Sequence, residues 1–254
     1  MPTCDDTKEL YDHTASSWVR ESPTSLSDFT ARPSVLDLCE PIEGAEILDL
    51  GCGEGYCSRQ LRRRGAKRVL GVDLSKGMID AARACEASSP LGIEYEVGAA
   101  TNLEGLPDRS FGLVLAVFLF NYLDVSQTRR CMAEIARVLR PGGNFVFAIP
   151  HPAFPFVRKD GEFPFHFRDV GGDYFASRGS LFSGRIWKTS GSWLDVQLVH
   201  KTLQDYFEAL ESAGFSSMPT LRELHVTADH LELDRSFFGP IAGIPLHVAI
   251  RVAR

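Results

Sequence analysis

The chain has 254 residues, of which 44% are hydrophobic and 24% charged, a balance that excludes a largely disordered chain or a fibre. Its 27 basic and 33 acidic side chains give a net charge of −6, which argues against a general nucleic-acid binder and against docking on anionic membranes. No apolar run approaches the roughly 18 residues of a membrane-spanning helix. The acidic N-terminus and six cysteines without a Cys-x-x-Cys pair predict a cytoplasmic protein with reduced thiols and no metal site.

Helix-like and strand-like segments alternate along most of the chain. Residues 1–40 are expected to form one or two helices. Strands are predicted at 46–50, 68–72, 93–97, 111–118 and 144–149, with helices at 55–64, 76–87 and 127–139. A further helix is predicted at 202–213, followed by strands near 218–226 and 245–252. Strands that alternate with helices favour a parallel sheet covered by helices on both faces, an α/β fold.

Residues 151–200 break this rhythm, because they are rich in glycine, proline and aromatic side chains. The aromatic residues are Phe154, Phe156, Phe163, Phe165, Phe167, Tyr174, Phe175, Phe182, Trp187 and Trp193. We interpret the segment as a cap inserted after the fifth strand. Its aromatic side chains either wall a pocket for a flat or apolar molecule or form the core of the insertion itself, and both can hold together.

The strongest functional signal is Asp49-Leu-Gly51-Cys-Gly53-Glu-Gly55, between the first predicted strand and a helix. Glycines allow a tight turn and a close approach of the backbone to a ligand, and the helix N-terminus adds free N–H groups. Gly71-Val-Asp73 places a carboxylate at the end of the next strand, where an acid can accept the hydroxyls of a ribose. Together these motifs predict a nucleoside ligand, although a glycine-rich turn can also be purely structural.

Four motifs in this order and spacing resemble the class I S-adenosylmethionine-dependent methyltransferases of small molecules. They are Asp49–Gly55, Gly71–Asp73, Leu106-Pro-Asp-Arg-Ser-Phe111 and Leu139-Arg-Pro-Gly-Gly143. The resemblance implies a Rossmann-like, doubly wound, seven-stranded sheet whose last strand is antiparallel, so the wholly parallel sheet is amended at its end. It divides the chain into N-terminal lid helices (1–40), a cofactor-binding core (41–150), the cap (151–200) and a completion of the core sheet (201–254).

The resemblance also implies which residues face S-adenosylmethionine. They are Asp49, Gly51, Cys52, Gly53, Asp73, Leu74, Met78, Ala99, Ala100, Thr101, Ala116 and Val117. Asp49 would favour the ammonium of the cofactor and Asp73 its ribose, while Leu74 and Met78 would pack on the adenine; Met78 can equally be a core residue. Ala99 stands where the family often has an acid, so backbone groups, Thr101 or Asn102 must replace that contact.

Two residues before the core are also candidates for contact with the cofactor, each with an alternative. Tyr11 lies in a segment that resembles the family's lid helix, where it either closes over the ligand or only packs the helix. Arg32 either pairs with the cofactor carboxylate or lies on the surface. The basic run from Arg59 to Arg68 is interpreted as a solvated face.

The catalytic candidates follow the fourth and fifth strands. His151 is a candidate general base or substrate contact, since its ordinary pKa is near neutrality, but it can also simply bind loop backbone. Asn121 and Tyr122 are expected to position the substrate. His166, Tyr174 and His200 are weaker candidates.

The function expected from these residues is the transfer of a methyl group, by in-line displacement, to oxygen or nitrogen of an aromatic or heterocyclic small molecule. The alternative is a regulatory or assembly module that binds S-adenosylmethionine without catalysis. An NAD-dependent dehydrogenase is less favoured, because the spacing is Gly-x-Gly-x-Gly rather than Gly-x-Gly-x-x-Gly.

Overall fold

The computed structural model describes residues 4–157, 164–168 and 170–254 of the chain. Small parts of the predicted lid and cap segments, Phe163 among them, therefore lie outside the described residues. The strands of the described part are β1 (Glu46–Leu50), β2 (Arg68–Asp73), β3 (Glu94–Val97), β4 (Phe111–Val117), β5 (Leu139–Pro150), β6 (Phe165–Arg168), β7 (Leu181–Trp187), β8 (Trp193–Val199), β9 (Thr220–Leu224) and β10 (His247–Ala253). The α-helices there are α1 (Cys4–Trp18), α2 (Leu26–Thr30), α3 (Arg32–Leu38), α4 (Tyr56–Arg63), α5 (Lys76–Ser88), α6 (Val125–Val138), α7 (Leu203–Ser212), α8 (Ala228–Leu233) and α9 (Arg235–Phe238).

The main sheet of the described ranges has seven strands in the order β3-β2-β1-β4-β5-β10-β9. The first five are parallel neighbours, and β10 lies antiparallel between β5 and β9. This confirms the predicted doubly wound sheet with an antiparallel last strand. The chain order reverses direction across the sheet at β1 and β4, which is where ligands bind in folds of this kind.

Both faces of the sheet are covered by helices, as the apolar strands require. Leu48 and Leu50 of β1 point to one face, in the same cluster as Ile135 of α6 and Tyr206 of α7. Ile47 points to the other face, whose cluster holds residues of α3, α4 and α5. Alternate residues of a strand point to opposite faces of the sheet. The sequence of a central strand that is buried on both faces is therefore a continuous apolar run.

Several boundaries differ from the sequence prediction. Helix α6 begins two residues earlier than predicted, because the carboxylate of Asp124 caps it by accepting the N–H of Gln127 at 2.7 Å. Strand β5 begins at Leu139, within the motif expected to end the helix, and its pairing with β4 shifts register just after that residue. Helices α8 and α9, between β9 and β10, were not predicted.

The insertion contains an antiparallel sheet of three strands in the order β6-β7-β8. Phe154, Phe165 and Val196 of the insertion share an apolar cluster with Leu26 of α2 and Phe238 of α9. Some of the predicted aromatic residues are therefore core of the insertion, which joins it to the main domain. None of the helices in the described ranges has the length and apolar character that would let it cross a bilayer.

Candidate functional site

A cavity opens at the edge of the main sheet where β1, β2 and β4 end. Fifteen of the residues predicted to contact the cofactor or to take part in catalysis line it: Tyr11, Arg32, Asp49, Gly51, Cys52, Gly53, Asp73, Leu74, Met78, Ala99, Ala100, Thr101, Val117, Asn121 and Tyr122. Ala116 and His151 are absent from the lining; Ala116 is fully buried inside the sheet. Because parallel strands all end at this edge, residues that follow β1, β2, β3 and β4 meet in one space.

The turn after β1 has the geometry that its glycines predict. Gly51, Gly53 and Gly55 have φ angles of +73°, +57° and +84°, in the left-handed region that side chains other than glycine avoid. The N–H of Gly51 donates to the carbonyl of Val72 at 2.7 Å, which fastens the turn to β2. A Cβ added at Gly55 would overlap the hydroxyl of Tyr95, so both the backbone angle and the space exclude a larger residue there.

Asp73, the last residue of β2, holds two backbone N–H groups with its carboxylate. The N–H groups of Gly53 and Ser75 donate to it, each at 2.9 Å. Burial raises the pKa of Asp73, and these two hydrogen bonds oppose that shift. The carboxylate is therefore fixed between the glycine turn and the start of α5.

Asp49 and Arg32 supply opposite charges near the same turn. Asp49 is 1% exposed, accepts the hydroxyl of Ser58 at 2.6 Å, and has its pKa raised to about 6 mainly by burial. The guanidinium of Arg32 donates through Nη1 to Asp28 at 2.8 Å and to Ser27 at 2.7 Å, while its Nε is buried and has no partner among the described residues. A carboxylate and a free guanidinium donor fit the ammonium and carboxylate of an amino-acid group.

The N-terminal helix closes one side of the cavity. The hydroxyl of Tyr11 forms a hydrogen bond with that of Tyr122, and their rings meet edge to face at 5.4 Å between centroids. Asp12 accepts the hydroxyl of Ser75 at 2.6 Å and the N–H of Gly77 at 2.9 Å, at the N-terminus of α5. These contacts fasten α1 across the ends of β2 and β4.

Another part of the cavity wall is formed by the start of α5 and the segment after β3. Met78 of α5 is 3% exposed and lines the cavity together with residues 98–101. It is therefore a core residue that also contributes to the cavity wall. Asn102, offered as a substitute for the missing acid, uses its side-chain oxygen to accept the N–H of Glu104 at 3.1 Å and is not among the lining residues.

His151 is not among the residues that line the cavity, and its imidazole has partners within the chain. Its Nε2 is 3.0 Å from Oε1 of Glu223, and its Nδ1 accepts the N–H of Ala153 at 3.1 Å. The contact with Ala153 is a hydrogen bond to loop backbone, which is the alternative role that the sequence analysis gave for His151. Its role as a general base stays a prediction. The weaker candidate His200 is fully buried and contacts the carbonyl of Tyr174 at 2.7 Å.

The basic run contains an exception to the predicted solvated face. Arg59 is 4% exposed and pairs with Glu54 of the glycine motif at 2.7 Å, and Arg20 pairs with the other carboxylate oxygen of Glu54 at 2.6 Å. The reason is spacing, since Arg59 lies on the first turn of α4 and faces the glycine turn. Arg20 and Glu54 line the cavity but were not identified from the sequence, although Glu54 lies within the recognised motif.

The cavity also has an aromatic end, which the sequence indicated through the aromatic residues of the insertion but not through Phe118, Gln197 or His247. Phe118, at the end of β4, and Phe165 and Phe167 of β6 line it together with Gln197 of β8 and His247 of β10. Phe118 has a φ of +58°, a conformation that costs free energy for a residue with a Cβ and that is concentrated at ligand sites. The aromatic composition of residues 151–200 indicated this wall in general, but no sequence signal pointed to His247.

Comparisons with known proteins agree with this fold and site. Residues 47–143 match the family model described as a methyltransferase domain. N-demethylindolmycin N-methyltransferase of Streptomyces griseus is 29% identical over 196 residues, covering 73% of this chain and 72% of that protein. An uncharacterised protein of Haemophilus influenzae is 30% identical over 148 residues. The chain spans 57% of the length of that second relative.

A solved structure extends the similarity over most of the chain. The S-adenosylmethionine-dependent methyltransferase of Mesorhizobium loti superposes with a TM-score of 0.66 and 26% identity, covering 87% of this chain and 96% of that one. Fold, motifs and similarities together show that the chain carries a methyltransferase domain of the S-adenosylmethionine-dependent class. S-adenosylmethionine is the cofactor of that class, and the half-buried Asp73 carboxylate and the opposite charges of Asp49 and Arg32 fit it.

Proposed function

We propose that this protein transfers the methyl group of S-adenosylmethionine to an aromatic or heterocyclic small molecule, at oxygen or nitrogen. The observation that carries the proposal is a single cavity with two chemically different ends. One end has the glycine turn, Asp49 and Asp73, and the other has Phe118 and Phe165. Such a cavity suits a charged nucleoside cofactor beside a flat apolar substrate.

The chain's residues would divide the work between cofactor and acceptor. Asp73 would hold the ribose, Asp49 the ammonium and Arg32 the carboxylate of the cofactor, which supplies an activated methyl group when bound. Asn121 and Tyr122 would position the acceptor beside it. Because the methyl group is already activated, fixing the acceptor in line and excluding water supply much of the catalysis.

The α1 helix would contribute by closing the site. Tyr11 binds Tyr122 directly, so the helix bridges the cofactor wall and the end of β4. Burial raises the pKa of Tyr122 to about 12, which keeps its hydroxyl protonated as a hydrogen-bonding group at neutral pH. A closed lid of this kind excludes water from the transferring methyl group.

The experiment is calorimetric titration of S-adenosylhomocysteine into the purified protein, with NADH as the control. We expect micromolar binding of the first and no binding of NADH. Incubation with radiolabelled S-adenosylmethionine and a panel of phenols, indoles and hydroxyquinones then tests for methyl transfer. Cofactor binding without transfer to any of them would favour the regulatory or assembly module, and NADH binding would revive the dehydrogenase.

A further inference from the structure

His247 occupies the substrate end of the cavity because of the antiparallel last strand. It is the first residue of β10, and it pairs with Pro150 at the end of β5 and with Leu224 of β9. An antiparallel strand brings its N-terminal residue to the edge where parallel strands end. A residue far from every recognised motif therefore lines the same cavity as Asp49 and Asp73.

Two aromatic rings fix the imidazole of His247. The ring of Phe165 lies nearly parallel to it with centroids 5.9 Å apart, and the ring of Phe118 is tilted against it at 5.1 Å. The guanidinium of Arg32 also lies over the ring of Phe118, 5.4 Å from its centroid. His247 is 1% exposed, so its side chain is held in place by packing rather than by polar contacts.

Neither ring nitrogen of His247 has a hydrogen-bond partner among the described residues. The buried histidines His151 and His200, in contrast, each make at least one hydrogen bond within the chain. An unsatisfied buried polar group costs about 1–3 kcal/mol, and native proteins keep few of them. Two such atoms on one side chain at a cavity indicate that a ligand satisfies them.

The neighbouring polar groups restrict what that ligand is. Oε1 of Gln197 and Oδ1 of Asn121 belong to residues that line the same cavity, and both atoms are likewise buried without partners in the described part of the chain. Burial, reinforced by the nearby Arg32 and His151, lowers the pKa of His247 to about 3, so its imidazole is neutral at physiological pH. A neutral imidazole offers one donor and one acceptor, which suits an uncharged group such as a hydroxyl or a ring N–H.

We infer that His247 binds the methyl acceptor: its imidazole hydrogen-bonds a hydroxyl or N–H group of an uncharged, planar aromatic substrate that packs on Phe118 and Phe165. This inference rests on the proposed function and deepens it. It assigns the recognition of the substrate to a residue of the last strand. His247 is then a substrate-binding residue, and selectivity among aromatic molecules depends on whether they carry a polar group within its reach.

The test compares two probes that differ by one hydroxyl, 2-naphthol and naphthalene. Their binding to protein saturated with S-adenosylhomocysteine is measured by ligand-observed NMR. We expect wild type to bind 2-naphthol about tenfold more tightly than naphthalene, the effect of about one good hydrogen bond. In His247→Phe, which keeps an aromatic ring but lacks both nitrogens, the two affinities should agree within about twofold.

Two further measurements separate substrate binding by His247 from a purely structural role and from a failure of the cofactor site. The unfolding midpoint of His247→Phe should equal or exceed that of wild type, because two unsatisfied polar atoms are removed. If that variant does not fold, His247→Gln replaces it and should retain part of the preference. Titration of S-adenosylhomocysteine on the same samples tests the cofactor site separately, so its failure contradicts the proposed function. Equal binding of both probes by wild type, or an unchanged preference in His247→Phe, would overturn the assignment of His247.

Discussion

The two ends of the cavity differ in how their polar groups are satisfied. At the cofactor end, the carboxylates of Asp49 and Asp73 already accept hydrogen bonds from Ser58, Gly53 and Ser75. At the aromatic end, the side chains of His247 and Gln197 have polar atoms that are buried and, within the described residues, unpaired. The carboxylates of the first end are held by the chain itself, although Nε of Arg32 is left unpaired there among the described residues, and both polar side chains named at the second end have hydrogen-bonding capacity left for a ligand.

This difference teaches how the site divides its tasks. A cofactor that is bound in every turnover is best met by groups fixed in advance, since preorganisation reduces the ordering needed on binding. At the substrate end, the unsatisfied groups lie on two strands that are far apart in the sequence. Gln197 is on β8 and His247 is on β10. Substitutions at the preorganised end and at the lid that closes it test this division, from the largest expected effect to the smallest.

Asp73→Ala should have the largest effect on cofactor affinity. We expect a loss of about 1.5–3 kcal/mol, or roughly 10- to 150-fold in the dissociation constant of S-adenosylhomocysteine, because the charged acceptor is removed. Calorimetry measures it. Asp80→Ala on α5 is the matched control, since Asp80 is exposed and pairs with Lys76. An unchanged affinity in Asp73→Ala would contradict the assignment of this residue to the ribose.

Gly55→Ala should cost more stability than Gly53→Ala. Both residues have positive φ angles, but a Cβ at Gly55 would meet Tyr95 whereas none of the surrounding described atoms lies within 4 Å of a Cβ at Gly53. We expect losses in the free energy of unfolding of about 2–3 kcal/mol and about 1 kcal/mol respectively. Urea denaturation compares them, and equal losses would show that backbone strain alone decides the turn.

The affinity for S-adenosylhomocysteine should fall as the pH drops below about 6. Burial raises the pKa of Asp49 to about 6, and only its ionised form attracts an ammonium. Below that pH a proton must leave on binding, so affinity decreases by up to about tenfold per pH unit. Calorimetry between pH 5 and 7 measures how the affinity changes with pH. Asp49→Asn should bind S-adenosylhomocysteine more weakly, with an affinity that does not change over this range. If its affinity changed with pH as that of wild type does, Asp49 would not be the group that binds the ammonium.

Tyr11→Phe and Tyr122→Phe should each weaken cofactor binding severalfold and should not be additive. The two hydroxyls bind each other, so either substitution removes the same hydrogen bond, with a coupling of about 1 kcal/mol. A double-mutant cycle on S-adenosylhomocysteine affinity measures it. Tyr174→Phe is the control, because that hydroxyl accepts the N–H of Leu203 at 3.1 Å outside the cavity lining. Additive losses would mean that the lid does not act through this pair.

Much of the cofactor end could be predicted from the sequence because its motifs are local. The turn from Asp49 to Gly55 and the acid at Asp73 each follow a strand, and parallel strands bring such ends together. The role of Arg59 could not be predicted, since a charged residue on a short helix gives no sign of the buried partner it finds in Glu54. Tyr95, which fills the space beside Gly55, was likewise hidden within an ordinary strand.

By itself, the sequence determined the order of most strands and helices of the main sheet, the class of the domain and many of the residues that line its cavity. Those features depend on periodicity, glycine conformation and short spacings, which are written along the chain. The tertiary structure alone decided that His247 lies at the substrate end. His247 meets Phe118 and Phe165 only because β10 runs antiparallel beside β5 and the insertion folds back over the sheet. Burial and the lack of a hydrogen-bond partner are properties of a position in space, so they become visible only after the chain has folded.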